Sequence, residues 1–380
     1  MSGSARRHRS AAGHAHRRRW PVAAIALIAA SLPASPGETY RFFQRLGDWN
    51  EVTSSAGARV WAAEDLPLRF RMLENGNLPE KEGLDAARWR EINRESIAAW
   101  VDVPTAAIGI LLEAEAVLAD EASDGDGINT IGFSSYEGFV DGWFSGFARY
   151  VWEDGEWAEC DIEISPFYFE RSPVDDPEQE RRTVPDLYTI MTHEMGHCLG
   201  LAHTAMNPMW LARPGPAVWE PGVLPEGIDA MQPHPIMSYG SSFRSPDLTP
   251  DDVHAISLAY PAPGFLASRG AIGGRVVFPS GDPVPLAYVQ TVDYSGGAAA
   301  FGPGAFTDRR GEFMLEGMPP GPVHLWVRPV IAGRAHGDLE LALEAGSLDL
   351  ADRQRWFRVR AGVATLVPDI VVEPGRESDR

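Results

Sequence analysis

The sequence predicts an α+β domain built on a twisted mixed sheet, followed by a small all-β sandwich. Three observations support this prediction. Strand-like and helical patterns follow one another from residue 61 to residue 262, a histidine-rich motif with helical spacing lies within this region, and the chain then changes to short apolar runs broken by Gly and Pro. The 380 residues, with a hydrophobic content of 44%, are sufficient for two domains with cores of their own.

Residues 1–35 have the composition of a signal peptide. A basic run ends at Arg19, an apolar stretch covers residues 21–30, and small residues between Ala30 and Gly37 offer a cleavage site. The apolar stretch is shorter than the roughly 20 residues that a membrane-spanning helix needs. We therefore expect export to the periplasm or the exterior of the cell, with an uncleaved anchor as the alternative.

The chain is strongly acidic. Its formal net charge is −20, and removal of residues 1–34, which hold six arginines and no acidic residue, changes the charge to −26. A surface of this sign disfavours nucleic acids and anionic membranes as partners. We therefore expect neither nucleic-acid binding nor stable membrane insertion.

Residues 61–262 are predicted to form the first domain, preceded by a short connector over residues 36–60 that need not be ordered. Apolar and polar residues alternate in its strands, and apolar residues recur at helical spacing in its first helix. The first four elements are the strand Leu66–Met72, a helix over residues 86–101, and the strands Ile108–Leu112 and Asn129–Phe133.

A hairpin and two helices complete this domain. Asp154-Gly155, a strong signal for a tight turn, joins the strands Phe147–Glu153 and Glu156–Ile164. A second helix is predicted to begin near Pro185, since proline is favoured in the first helical turn. The last helix follows Thr249, which begins a capping sequence.

The second helix ends in the motif H-E-x-x-H-x-x-G-x-x-H. His193 and His197 are four residues apart on one helical face, so they can hold one metal ion between them. Gly200 is suited to the end of the helix and the turn that follows, and this turn would let His203 supply a third nitrogen. Three imidazoles leave a fourth position for water, as in a catalytic zinc site, and Glu194 can reach that water without binding the metal. The alternative is an ordinary helix with surface and core histidines.

This motif resembles the metzincin zinc peptidases, and a second stretch extends the resemblance. Pro235-Ile236-Met237-Ser238-Tyr239 is similar to the Met-turn of metzincins, which implies that Met237 packs beneath the metal site. Tyr239 matches the tyrosine of astacins and serralysins, which implies a contact with the metal or the developing oxyanion. The alternative for Tyr239 is a residue that only closes the floor of the cleft.

Over residues 61–262 the chain most resembles the bacterial matrixin-like peptidases. The residues that carry this likeness are the run from Asp126 to Asn129, the run Cys160-Asp161-Ile162 and the run from Leu248 to Asp252. The resemblance implies that an edge strand of the sheet, from the hairpin, pairs with an extended peptide substrate. A matrixin-type latency switch needs a cysteine upstream of this domain, and residues 1–60 contain none.

The two cysteines are predicted to form a disulfide bond. On the strand, Cys160 shares a face with Ile162 and Ile164, and on the helix Cys198 lies on the face of Met191, away from the histidines. Both thiols therefore point into the layer between sheet and helix, and export permits the bond. Two buried free thiols are the alternative.

An acidic cluster of Asp120, Asp124 and Asp126 could bind Ca²⁺, since carboxylate oxygens are its preferred ligands. The cluster lacks the spacing of an EF-hand, and a solvated loop is the favoured interpretation. Residues 204–235 form a long Pro- and Gly-rich connection beside the motif, which is typical of a loop that shapes specificity.

A linker over residues 263–268 leads to a predicted sandwich over residues 269–375. Short apolar runs with regular turn signals favour a sandwich on pattern alone, and the runs resemble carboxypeptidase-regulatory-like, prealbumin-type domains. That resemblance implies a module that binds or stabilises, and its ligand is unknown. No catalytic cluster lies in this part of the sequence.

The hypothesis for function is a secreted zinc endopeptidase whose partner is a protein or peptide substrate. Zinc would activate water and polarise the peptide carbonyl, Glu194 would transfer the proton to the leaving amine, and Tyr239 would help to hold the oxyanion. The alternative is a secreted zinc-containing binding or adhesion protein whose sandwich carries the function.

Overall fold

The structure is a computed structural model. It describes the following ranges: 41–43, 51–52, 60–74, 78–80, 83–118, 125–133, 146–153, 156–166, 184–204, 235–237, 247–285, 287–293, 300–328 and 353–373. All of these residues belong to one compact unit, Ser35–Arg380, and the predicted signal peptide lies outside them. Within these ranges, no helix is both long enough and apolar enough to cross a membrane.

The chain is of mixed α and β structure, with several sheets and few helices. Two short strands come first, β1 (Arg41–Phe43) and β2 (Glu51–Val52). A five-stranded sheet follows, which contains β3 (Leu68–Glu74), β4 (Ile110–Leu118), β5 (Asn129–Phe133), β6 (Gly146–Glu153) and β7 (Glu156–Ile164).

This sheet is mixed, as predicted. Its strand order is β4-β3-β5-β7-β6. Neighbouring strands are parallel except for the pair formed by β6 and β7, which is the predicted antiparallel hairpin. Strand β6 therefore lies at one edge of the sheet.

Within the described ranges, three α-helices accompany the sheet, namely α1 (Ala86–Val101), α2 (Val184–Cys198) and α3 (Pro250–Ala259). Helix α1 begins after Asp85, whose carboxylate accepts a hydrogen bond from the backbone N–H of Arg88 at 2.7 Å, an N-cap. Helix α1 packs beside α2, and the indole of Trp100 donates to the carbonyl of Thr192 at 2.8 Å. Both helices share one apolar core with the sheet, which includes Phe70 and Ile162.

A small three-stranded sheet joins the N-terminal strands to the segment that follows α2. Strand β8 (Leu201–Ala202) pairs with β1, and β1 pairs with β2, in an antiparallel three-stranded sheet. Strands β1 and β2 lie within the predicted connector of residues 36–60. Sequence patterns do not predict these strands, because each has only two or three residues and one partner of β1, the strand β8, lies far along the chain.

The two cysteines pair as a disulfide bond between β7 and the end of α2. The Cα atoms of Cys160 and Cys198 are 5.7 Å apart, and both side chains are fully buried. This is the pairing that the sequence predicted from the faces of the strand and the helix. It fastens the C-terminal end of α2 to the middle of β7.

The described residues of the C-terminal part of the chain form eight strands. They are β9 (Gly270–Val277), β10 (Tyr288–Asp293), β11 (Ala300–Phe306), β12 (Glu312–Met318), β13 (Gly321–Arg328), β14 (Arg353–Val359), β15 (Ala364–Leu366) and β16 (Ile370–Val371).

These strands form two sheets that enclose an apolar core, as the predicted sandwich requires. One sheet has the order β11-β10-β13-β14, and the other has the order β12-β9-β15 with β16 also on β9. Ile272 and Leu315 from one sheet meet Val289 and Leu325 from the other in this core. Helix α3 packs against the sandwich, where the Nε2 of His254 lies 2.8 Å from the carbonyl oxygen of Glu316.

Candidate metal centre

Three histidines converge at the end of α2. His193 and His197 lie on the last two turns of the helix, and His203 follows β8. The Nε2 atom of His203 is 3.1 Å from that of His193 and 3.3 Å from that of His197. Gly200 lies just past the helix end with φ of +89°, the left-handed conformation that lets the chain turn back here. The structure thus brings together the three residues that the motif predicted as metal ligands.

Backbone carbonyls fix which ring nitrogens carry a proton. The Nδ1 of His193 lies 2.6 Å from the carbonyl oxygen of Ile236, and the Nδ1 of His197 lies 2.7 Å from that of Leu201. A carbonyl oxygen can only accept, so each Nδ1 must donate its proton. Both Nε2 lone pairs therefore face the centre of the site.

Burial keeps these imidazoles neutral. Removal from water lowers the pKa of His193, and it lowers the pKa of His197 to about 3, with the nearby His193 as a second cause. Neutral imidazole is the form that binds a metal ion. Burial therefore favours neutral imidazoles, which can bind a metal ion, over protonated imidazoles, which cannot.

The geometry fits a metal ion. One proton on His203 can satisfy only one of the two lone pairs that face it, whereas one cation can accept all three nitrogens. Tetrahedral coordination at metal–nitrogen distances of about 2.0–2.1 Å implies nitrogen–nitrogen distances of about 3.3–3.4 Å, close to the 3.1 Å and 3.3 Å found here. In the described residues, these three histidines form the only group of His, Cys, Asp or Glu side chains close enough to hold a metal ion.

Glu194 lies outside this ligand group but next to it in the helix. Its side chain is buried, and burial raises its pKa to about 8, opposed by a backbone hydrogen bond from Ala148. Ala148 belongs to β6, the edge strand of the sheet. The carboxyl group of Glu194 is therefore directed towards the sheet edge rather than into the core.

Met237 packs directly against the helix that carries the first two histidines. A β-carbon on Gly196, which lies between these histidines, would collide with the sulfur of Met237 and lie 2.8 Å from the ring of Trp100. Met237 is itself buried, with 2% of its surface exposed. Tyr239, the other residue predicted in this stretch, lies outside the described residues.

Two aspartates that the sequence analysis did not assign to the site hold its loops together. The carboxylate of Asp252 accepts hydrogen bonds from the backbone N–H groups of Ile236, Met237 and Thr249, and Asp251 accepts one from the hydroxyl of Thr204 at 2.8 Å. Their sequence, Thr-Pro-Asp-Asp, indicated only a helix cap. A cap can also bind loops from elsewhere, which a local pattern does not reveal.

Of the acidic cluster, for which a solvated loop is the favoured interpretation, the structure describes only Asp126. Its carboxylate accepts a hydrogen bond from the backbone N–H of Ile128 at 2.8 Å. The same loop is held by Glu159, which accepts from the N–H groups of Gly125 and Gly127 at 2.9 Å and 2.6 Å. Asp120 and Asp124 lie outside the described residues.

No protein-family model matches the chain, and no curated protein matches it. Among solved structures it is similar to the Bacillus anthracis TIE protein, at 12% identity over 28% of this chain and 17% of that one, with a TM-score of 0.20. It is also similar to an (S)-allantoin synthase, at 15% identity over 33% of this chain and 48% of that one, again with a TM-score of 0.20. The chain thus spans less than half the length of either structure, and likenesses of this size carry no argument.

Proposed function

We propose that this chain is an exported zinc-dependent endopeptidase of the matrixin-like metzincin type. The observation that carries the proposal is the convergence of three Nε2 atoms, two of them with their tautomer fixed by a carbonyl, beside a buried glutamate on the same helix. The motif resemblance at residues 193–203 and the position of Met237 against α2 support the same proposal. The buried disulfide is compatible with export.

Zinc is the metal that best suits this ligand set. Neutral imidazoles are favourable zinc ligands, and three protein ligands are the number found in catalytic sites, where one position stays open for water or substrate. His193, His197 and His203 would hold the ion. When bound, zinc acts as a Lewis acid that acidifies water and polarises a peptide carbonyl.

Glu194 is the general base in this proposal. Its carboxylate would take a proton from the attacking water and deliver it to the nitrogen of the departing amine, so that one side chain serves both half-steps. Its position in the helix, one residue after a ligand, keeps it close to the metal while leaving it outside the ligand set. Its burial excludes competing water from the carboxyl group.

An extended peptide is the proposed substrate. Among the described strands, β6 has a partner on one side only, so its other edge can pair with a peptide backbone of any sequence. Glu194 meets this strand through Ala148, which would bring the base close to a peptide held at the edge. The substrate would thereby be positioned through its main chain, and side-chain preference would come from surrounding loops.

The proposal is tested with protein purified without chelators, wild type beside Glu194→Ala. We expect one equivalent of zinc in both proteins and casein cleavage by the wild type alone, abolished by chelator and restored by zinc. Full cleavage by Glu194→Ala would contradict the role of the base. Zinc in both proteins with no cleavage of casein, gelatin or short peptides by either would favour the alternative of a zinc-containing binding protein that acts through its sandwich.

A further inference from the structure

The turn between the second and third histidines is held by side chains from distant parts of the chain. We call residues 198–201 the ligand turn, because they connect His197 to the segment that carries His203. Helix α2 ends here, so the carbonyl groups of its last residues have no partner within the helix. The partners that these carbonyls do have therefore determine the path of the chain from one ligand to the next.

Trp61 supplies the first partner. Its indole Nε1 donates a hydrogen bond of 2.7 Å to the carbonyl of Cys198, across a sequence separation of 137 residues. The indole is buried, with 6% of its surface exposed, and it packs against Trp157 with ring centroids 5.6 Å apart. The donor is therefore held in place by the core and is shielded from water.

Tyr260 supplies the second partner. Its hydroxyl donates a hydrogen bond of 3.0 Å to the carbonyl of Leu199 and accepts one of 3.2 Å from the backbone N–H of Trp61. Tyr260 is also buried, and it stands immediately after α3. One hydroxyl thus connects the beginning and the end of residues 61–262 to the ligand turn.

We propose that Trp61 and Tyr260 are positioning residues that clamp the ligand turn and thereby set the affinity of the three-histidine site for its metal ion. The inference rests on the metal site of the proposed function, but not on peptide hydrolysis. Neither side chain touches the ligand nitrogens, and both act through the backbone that carries them.

The contacts of His197 show how the clamp reaches the metal ligands. The Nδ1 of His197 donates to the carbonyl of Leu201, which is part of the ligand turn, and the N–H of Gly200 donates to the carbonyl of His197 at 2.7 Å. A shift of the turn therefore rotates the ring of His197 and moves His203 at the same time. The carbonyl of Leu201 bonds the ring of His197 directly, and partners of this kind typically change metal affinity 10- to 100-fold. Trp61 and Tyr260 act on the same turn from one contact further away.

Two tyrosine variants provide the test. Tyr260→Phe removes the hydroxyl from the clamp and leaves the ring in the core, whereas Tyr288→Phe removes the hydroxyl of another buried tyrosine, in the sandwich. Zinc affinity is measured by competition with a chromogenic chelator, coordination by the absorption spectrum of the Co²⁺-substituted protein, and stability by thermal unfolding of the metal-free protein.

We expect Tyr260→Phe to bind zinc several-fold more weakly, by about tenfold at most, and to change the Co²⁺ spectrum, while Tyr288→Phe matches the wild type in both. We expect Trp61→Phe to weaken zinc binding in the same direction. If Trp61→Phe does not fold, Tyr260→Phe decides the question alone. Wild-type affinity and an unchanged Co²⁺ spectrum in Tyr260→Phe would overturn the inference, whatever its effect on thermal stability.

These readouts separate the clamp from the peptidase proposal. Wild-type protein that binds zinc but cleaves no peptide would contradict the proposed function and leave the clamp intact. Zinc-dependent cleavage by the wild type, combined with equal zinc affinities in wild type and Tyr260→Phe, would support the proposed function and contradict the clamp. Wild-type protein that binds neither zinc nor Co²⁺ would overturn both.

Discussion

The carboxylate of Asp252 accepts a hydrogen bond from the backbone N–H of Met237 at 3.2 Å. The same carboxylate accepts from Ile236 at 2.9 Å, and the carbonyl of Ile236 in turn faces the Nδ1 of His193. The first turn of α3 is thereby connected through Ile236 to His193, a candidate metal ligand. This chain of contacts explains how a helix remote in sequence can orient the site.

Replacement of Asp252 by asparagine is expected to weaken both the fold and the metal site. An amide has only one acceptor oxygen, so some of the N–H and O–H donors now bound by the carboxylate would lose their partner in a buried place. The loss of charge-assisted hydrogen bonds predicts a decrease of about 2–3 kcal/mol in the free energy of unfolding.

Urea unfolding and zinc competition measure the two effects of Asp252→Asn. Asp85→Asn is the matched control, because Asp85 caps α1 at an exposed position where asparagine is as effective as aspartate. We expect the control to keep both stability and zinc affinity. Unchanged zinc affinity in Asp252→Asn would contradict the role of this carboxylate in orienting the site.

Gly196→Ala is expected to destabilise the protein by about 1–3 kcal/mol, the usual cost of an extra methyl group in a packed core. The new β-carbon would collide with Met237, and the ring of Trp100 closes the other side. Thermal or urea unfolding measures the effect. The double variant Gly196→Ala/Met237→Ala tests the cause, since removal of the methionine side chain should make the alanine at position 196 less costly than it is alone. Strictly additive effects would contradict direct contact.

Loss of the disulfide is expected to be costly as well. The bond closes a loop with a sequence separation of 38 residues, for which chain entropy predicts about 4 kcal/mol of stabilisation. Cys160→Ala/Cys198→Ala should therefore unfold at a lower urea concentration than the oxidised wild type. Mass spectrometry of unreduced, alkylated wild-type protein is the control, and it should find no alkylated cysteine. A midpoint for the double variant equal to that of the wild type would contradict the prediction.

Local sequence patterns predicted several elements of the fold and the histidine motif. The helix at residues 86–101 has the predicted bounds, as do the strands Asn129–Phe133 and Glu156–Ile164. Burial follows the helical period in the helix, whereas all five residues of Asn129–Phe133 are buried. The histidine motif also converges as predicted, since two of its three members lie on one helix. Strand β4 runs to Leu118 rather than ending at Leu112, because its later residues are ordered by pairing with β3.

Contacts between distant residues could not be predicted in this way. The pairing of Phe42 with Leu201, the bonds of Asp252 and the clamp formed by Trp61 and Tyr260 all depend on the folded chain. A tryptophan or tyrosine in an apolar pattern predicts burial, but the pattern does not identify the carbonyl that its polar atom will reach. The candidate metal ligands could therefore be predicted from the sequence, whereas most of the residues that hold them in position could not.

The contact between α3 and the sandwich predicts a specific loss of stability in acid. Burial lowers the pKa of His254 from 6.5 to about 4, and its Nε2 lies 2.8 Å from the carbonyl oxygen of Glu316. The folded state therefore favours the neutral ring. The stability that comes from the neutral ring is fully present above pH 6.5 and is lost as the pH falls towards 4. At pH 5 the loss in the free energy of unfolding is about 2 kcal/mol.

His254→Gln isolates this contribution from other groups that titrate in the same range, such as Glu194 and Asp161, because it leaves them in place. Urea unfolding of the metal-free protein at pH 7 and at pH 5 gives the stability difference for wild type and variant. Between pH 7 and pH 5, we expect the free energy of unfolding to decrease by about 2 kcal/mol more in the wild type than in His254→Gln. The same pH dependence in both proteins would show that His254 is not the group whose protonation opposes the packing of α3 on the sandwich.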